Sequence, residues 1–154
     1  MEEILQDEDM KKVLEDALKN ESNESIVTKT NKDICNIKKN ILNEINISND
    51  KREDIYNRLE DYRYIDDINE FKEGSFIRWI NLKNVSDIDK IKLSNGAVIS
   101  EIKLKGDDIR IVCKLPFGKR MKYMEILGGS CLIFQKLSDQ EKIILSVLDY
   151  LNKD

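Results

Sequence analysis

Near residue 74 the hydrophobic period of this chain changes from about 3.6 residues to 2, and that switch limits its folds more than any other feature. Before it, Ile34, Ile37, Ile41, Leu42 and Ile45 recur at steps of three and four, the mark of a helix with one apolar face. Ser48-Asn49-Asp50 offers an N-cap for a further helix that carries Ile55, Leu59 and Tyr62 on one side. Together these predict an antiparallel helical pair. Ahead of them, residues 2–19 carry Ile4, Leu5, Val13, Leu14, Ala17 and Leu18 at approximate helical spacing, interrupted by Asp7 to Asp9. Residues 20–29 are polar, lack any period and read as a linker.

After the switch, Ser75–Leu82 is rich in β-formers and apolar on both faces apart from Arg78, which suits a strand covered on both sides. Lys90–Ser94 and Ala97–Leu104 flank Asn95-Gly96, a strong hairpin signal because a tight two-residue turn needs positive φ. In that hairpin Val98, Ile102 and Leu104 would share one face, with Glu101, Lys103 and Lys105 on the other. Gly106-Asp107-Asp108 marks a turn, and Ile109–Lys114 would point Ile109, Ile111 and Cys113 inward and Arg110 and Lys114 outward. Two shorter strands, Met121–Ile126 and Cys131–Gln135, lie either side of Leu127-Gly128-Gly129-Ser130. Ser138-Asp139-Gln140-Glu141 is a capping box, followed by Ile143, Ile144, Val147, Leu148 and Leu151 as the stripe of a helix that would dock on the sheet.

The expected fold class is α+β: a small antiparallel β-barrel or bent sheet of five to six strands, with N-terminal helices and a packed C-terminal helix. Charge divides the chain at the same place. Residues 1–70 carry a net −8, residues 71–137 a net +6 and residues 138–154 a net −2, giving −4 for the 154 residues. The organisation read from this is an acidic helical arm over 1–70 and a basic antiparallel β domain with its C-terminal helix over 71–154.

Histidine is absent, which removes the commonest general base, the Ser-His and Cys-His pairs and most zinc sites. No enzyme, cofactor or metal is therefore expected. Cys35, Cys113 and Cys131 are odd in number and contain no C-x-x-C pair, so neither a disulfide framework nor a zinc site is indicated. Asp107-Asp108 is explained by turn chemistry, and Gly118-Lys119-Arg120 lacks the rest of a phosphate loop. The absence of an apolar leader or a membrane-length apolar run predicts an intracellular protein.

One constellation carries possible binding chemistry. Lys103, Lys105, Arg110 and Lys114 fall on the outward parity of neighbouring strands, and Lys119, Arg120 and Lys122 surround Phe117 on the next loop. Such a patch suits a nucleic-acid backbone with one stacked base, although a solvated strand face guarded by lysine accounts for it as well. Phe76, Trp79, Tyr123 and Phe134 read as core side chains.

The blocks FKEGSFIRWINL (71–82), IKLSNGAVISEIKL (91–104), IRIVCK (109–114) and CLIFQKLSDQEKIILSVLDYL (131–151) resemble uncharacterised small proteins of large AT-rich DNA viruses of algae and protists. The heavy use of Ile, Lys, Asn and Asp agrees with such a genome. The resemblance implies a viral origin, with the host cytoplasm, the viral factory or the virion as the setting, and assigns no site. The leading expectation is a non-enzymatic interaction module, a viral accessory or virion-associated assembly protein that binds a protein partner or itself. Its alternative is a nucleic-acid-binding small β-barrel with an acidic regulatory arm.

Overall fold

The computed structural model describes residues 30–83, 91–115 and 122–151, with Lys12, Glu15, Asp16 and Lys19 ahead of them. Those four are helical and exposed, at positions inside the helix expected over 2–19. The linker over 20–29 lies outside the described residues. No helix among the described residues is long and apolar enough to cross a membrane.

Two helices lead into the sheet, α1 (Asn31–Asn43) and α2 (Asn49–Arg58). The amide of Asp33 donates to Thr30 Oγ1 and that of Thr30 to Asp33 Oδ2, each at 3.1 Å, a reciprocal cap for the first turn of α1. Ser48 caps α2 as its sequence predicts, accepting from the Lys51 amide at 3.2 Å. The buried stripe of α1 contains Ile34, Lys38 and Leu42, while Ile37 and Ile41 are half-buried, so the helix is turned slightly from its expected face. Lys38 accepts burial because its ammonium donates to the carbonyls of Leu59 at 2.7 Å and Glu60 at 3.4 Å, where α2 ends. At the other end Arg52 donates to the carbonyls of Leu42 and Ile45, both at 3.0 Å, and of Ile47 at 3.1 Å. Lys38 thus meets the end of α2 and Leu42 its beginning, so the pair is antiparallel as expected.

Six antiparallel strands form one sheet: β1 (Tyr62–Ile65), β2 (Phe76–Asn81), β3 (Ala97–Lys105), β4 (Asp108–Leu115), β5 (Lys122–Leu127) and β6 (Cys131–Lys136), in the order β1-β6-β2-β3-β4-β5. The class is α+β. The expectation of a barrel is corrected, because β1 and β5 remain as edges and the sheet does not close. It is bent all the same. β5 and β6 stand four places apart yet are joined by the single 3₁₀ turn Gly128–Ser130. In a flat sheet four steps of ~4.8 Å come to roughly 19 Å, whereas a turn of this length rises only ~2 Å per residue. Only curling brings the two strand ends together.

β1 was not expected. Tyr62, assigned from spacing to the face of α2, instead begins this strand opposite Lys136. α2 has already ended, with the amide of Leu59 donating to Ile55 and Tyr56 and that of Tyr62 donating to Leu59. Two tyrosines and an isoleucine in four residues favour strand once a neighbour is offered.

The hairpin expected at Asn95-Gly96 is also corrected. The segment before Gly96 runs alongside β2: Leu93 pairs with Ile80, and beyond the glycine Ala97 pairs with Ile77 and Val98 with Phe76. Three steps along β2 therefore face four along its neighbour, which defines a one-residue bulge. Gly96 has φ +100°, and a Cβ there would lie 2.6 Å from Phe76 Cζ and 2.7 Å from the Ile77 carbonyl oxygen. Ser94 secures the bulge by donating its amide to the Trp79 carbonyl and accepting the Trp79 amide on Oγ, both at 2.9 Å. The two-residue hairpin lies at Gly106-Asp107, where Lys105 faces Asp108 and Gly106 takes φ +61°.

A second register shift, between Ile99 and Glu101, changes the expected facing of β3. Val98 shares the face of Glu101, Lys103 and Lys105, because the extra residue Ser100 inverts the alternation at that point. One face of the sheet buries Ile77, Ala97, Ile99, Ile111, Cys113, Ile126 and Ile133. On the other, Ile80 and Phe134 pack with Leu42, Ile45, Ile55 and Leu59 of the helical region.

From Ile37 of α1 through β6 these elements belong to a compact unit Ile37–Lys136, which runs across position 70, where the charge balance changes. The second unit joins chain from either side of it. There α3 (Asp139–Leu151) begins at the expected capping box, with the Ser138 amide donating to Glu141 Oε1 at 3.0 Å and the Glu141 amide to Ser138 Oγ at 3.1 Å. Leu137, Ile144 and Leu145 pack with Ile34, and Leu151 is exposed.

Gly96→Ala is expected to cost about 3 kcal/mol, from positive φ together with the clash against Phe76 and Ile77. Gly74→Ala, at φ +86° but with open space around the new methyl, should cost about 1 kcal/mol. Urea denaturation of both variants measures the difference, and equal losses would remove the close approach as the reason for glycine at 96.

Candidate interaction surfaces

Register decides which of the expected basic residues share a surface. Lys103 stands opposite Arg110, and Arg110 opposite Leu127; Val98 is opposite Lys114, and Lys114 opposite Tyr123; Lys105 faces Asp108. Lys103, Lys105, Arg110 and Lys114 therefore do gather on one face, since directly opposed residues point the same way. The same register places Glu101 and Glu125 on either side of Val112. Four cations thus alternate with three carboxylates, those of Glu101, Asp108 and Glu125, on this outer face. Arg110 is bound at 2.9 Å by Glu125. Such a half-exposed pair adds at most about 1 kcal/mol to stability, but it occupies a guanidinium that a phosphate would need.

Lys122 is displaced from the patch. It faces Leu115, so its parity belongs to the opposite face of the sheet from Lys114 and Tyr123. Phe117, Lys119 and Arg120 lie outside the described residues. Of the expected core aromatics, Phe134 is fully buried, Phe76 and Trp79 are half-buried, and Tyr123 is 58% exposed. Tyr123 is thus corrected from core to surface, on the edge strand β5.

Two clefts accompany these surfaces. The first, of about 230 Å³, lies between α1 and α2, lined by Lys39, Leu42, Asn43, Asn49, Arg52, Glu53 and Tyr56. Its guanidinium already serves the three carbonyls that end α1 and the following loop. The second, of about 170 Å³, follows the bend of the sheet, where Met124, Glu125, Ile126 and Leu127 of β5 approach Trp79, Asn81, Lys83, Ser130 and Cys131. Consecutive β5 residues of both parities line it, so it runs along the strand's backbone edge. This groove had no signature in the sequence, because its walls are brought together only by the curl.

The chemistry on offer is limited. Among the described residues no cluster of three or more acidic or cysteine side chains could hold a metal ion. Burial pushes the Cys113 thiol up to about 12, and it also raises Cys131, an effect offset in part by the positive charge of Lys83. Raised thiols are poor nucleophiles at neutral pH. Burial likewise raises Tyr62 and Tyr64. Buried Gln135 is engaged structurally, accepting the Lys72 amide at 2.9 Å and donating to the Glu70 carbonyl at 3.1 Å. No family model, no curated protein and no solved structure matches the chain.

Because the folded state holds Cys113 protonated above its ordinary pKa of 9.0, its contribution to stability is complete below pH 9 and is lost as pH rises toward 12. Denaturation of the native chain against Cys113→Val should show a pH-dependent difference growing over that interval, by up to about 4 kcal/mol. At pH 8 a thiol reagent should reach Cys113 only after unfolding. A native labelling rate equal to the unfolded one would contradict the burial.

Proposed function

We propose that this chain is a non-enzymatic module that binds protein, through the β3–β5 half of its sheet. The observation that carries the proposal is the outer face on which Lys103, Lys105, Arg110 and Lys114 are interleaved with Glu101, Asp108 and Glu125, beside half-exposed Val98, Val112 and Leu127. A surface of alternating sign with apolar patches complements another protein surface and fixes orientation on it. A nucleic-acid backbone favours a field of one sign, which this face lacks. The resemblance to small proteins of AT-rich DNA viruses suggests an assembly or accessory role inside infected cells as the setting for such a module.

The nucleic-acid alternative rests on the four gathered cations and is separable by salt. If it holds, binding of the full chain to single- or double-stranded oligonucleotides weakens between 50 and 200 mM salt with a log–log slope of roughly −0.7 to −0.9 per phosphate neutralised. The protein-binding reading expects no saturable oligonucleotide binding at the lower salt. It further expects lysine-directed cross-linking in the producing cells to join Lys103 or Lys105 to another polypeptide, and Lys103→Glu with Lys105→Glu to reduce that adduct at least tenfold. A strictly monomeric chain with no cross-linked partner on β3–β5 would overturn it.

A further inference from the structure

We infer that the groove along β5 takes an extended peptide, which adds as a strand to the β5 edge, places one apolar side chain against Trp79, Met124 and Cys131, and sets a carboxylate on Lys83. This rests on the protein-binding reading and names the chemistry of the partner.

Four observations lead to it. β5 is hydrogen-bonded to β4 on one side and, among the described residues, has no strand partner on the other, so its outward amides and carbonyls offer a ladder for another extended chain. The groove follows that edge, since four successive β5 residues line it. Its volume of about 170 Å³ accommodates one apolar group, a cavity of roughly 150 Å³ being enough for benzene. Met124 and Ile126 share the parity that faces Trp79 and Cys131, so a strand added beside them would turn alternate side chains into the same space.

Charge narrows the class. Lys83 is exposed on the rim, held in a turn by its amide donating to Asn81 Oδ1 at 2.9 Å, and its positive field reaches the Cys131 thiol. Among the described lining residues the one carboxylate, Glu125, is engaged by Arg110. An incoming segment therefore meets the positive charge of Lys83 at the described rim and apolar contact within. A nucleobase could also stack on Trp79, but a single rim lysine gives little hold on a phosphate backbone, while the open ladder of β5 has no use for one. The 230 Å³ cleft between the helices is the weaker candidate, because its arginine is spent on capping carbonyls.

Trp79 is the chain's single tryptophan, so its emission reports on the groove in the full protein. The probes are two pools of blocked octapeptides, with Val, Ile, Leu or Phe alternating either with Asp and Glu or with Lys. The apolar–acidic pool is expected to shift Trp79 emission saturably and to slow alkylation of Cys131, with the apolar–lysine pool at least tenfold weaker. Lys83→Glu, on an exposed turn, should reverse that order, and N-methylating alternate backbone amides of the bound peptides should weaken them at least tenfold. Equal response to both pools, indifference to N-methylation, or a saturable response only to oligonucleotides would overturn the inference. If the peptides fail while cross-links through Lys103 and Lys105 persist, only the groove assignment falls; loss of both removes the protein-binding reading beneath it.

Discussion

Everything that distinguishes this sheet depends on how little chain separates β5 from β6. Gly128–Ser130 must carry the backbone from one edge of the sheet to its interior, past β4, β3 and β2. A flat sheet cannot accommodate that link, so the strands curl, and the curl opposes β5 to the ends of β2 and β6. The groove along β5 is a direct result. Gly128 fits the tight corner, since a side chain there would meet Ile109 Cβ at 3.1 Å. Bending also concentrates the apolar interior, and Ile77, Ala97, Ile111 and Cys113 are fully covered on the inner face.

Within that constraint, two bulges set the chemistry of each face. The extra residue at Asn95-Gly96 keeps β3 aligned with β2 after Ser94 has clamped the strand to Trp79 and Arg78. The second, at Ser100, turns Glu101, Lys103 and Lys105 outward together with Val98. Without it the charged residues of β3 would fall on the parity of Ile111 and Cys113, where desolvation would be costly. The mixed-sign outer face and the apolar inner face therefore arise from one register choice. That choice is what interleaves the basic residues of β3 and β4 with Glu101, Asp108 and Glu125 on a single face.

Much of the local structure was legible in the residues themselves. Ser48, the Ser138–Glu141 box and Gly106-Asp107 act through neighbours only a few positions away, and each does in the structure what its chemistry predicts. The gathering of Lys103, Lys105, Arg110 and Lys114 was also visible, because alternation across a tight hairpin is a local rule. Of the carboxylates among them Glu101 is legible by parity, whereas Glu125 joins the face only through the β4–β5 register that sets it beside Arg110. Thr30-x-x-Asp33 is a capping signal of the same local kind, its two bonds spanning only three residues.

What the sequence by itself determined is the α+β class, the helix starts, the turn at Gly106 and the absence of histidine chemistry, since each follows from periodicity or from the side chains present. The tertiary structure decided the rest. Tyr62 became strand rather than helix because β6 offered it a ladder, and Asn95-Gly96 became a bulge rather than a turn because β2 lay alongside. Positive φ is a local property that serves either purpose, and only a neighbouring strand selects between them. The groove beside β5 joins residues 79–83 to 124–131, and no spacing rule relates those segments until the short link has bent the sheet.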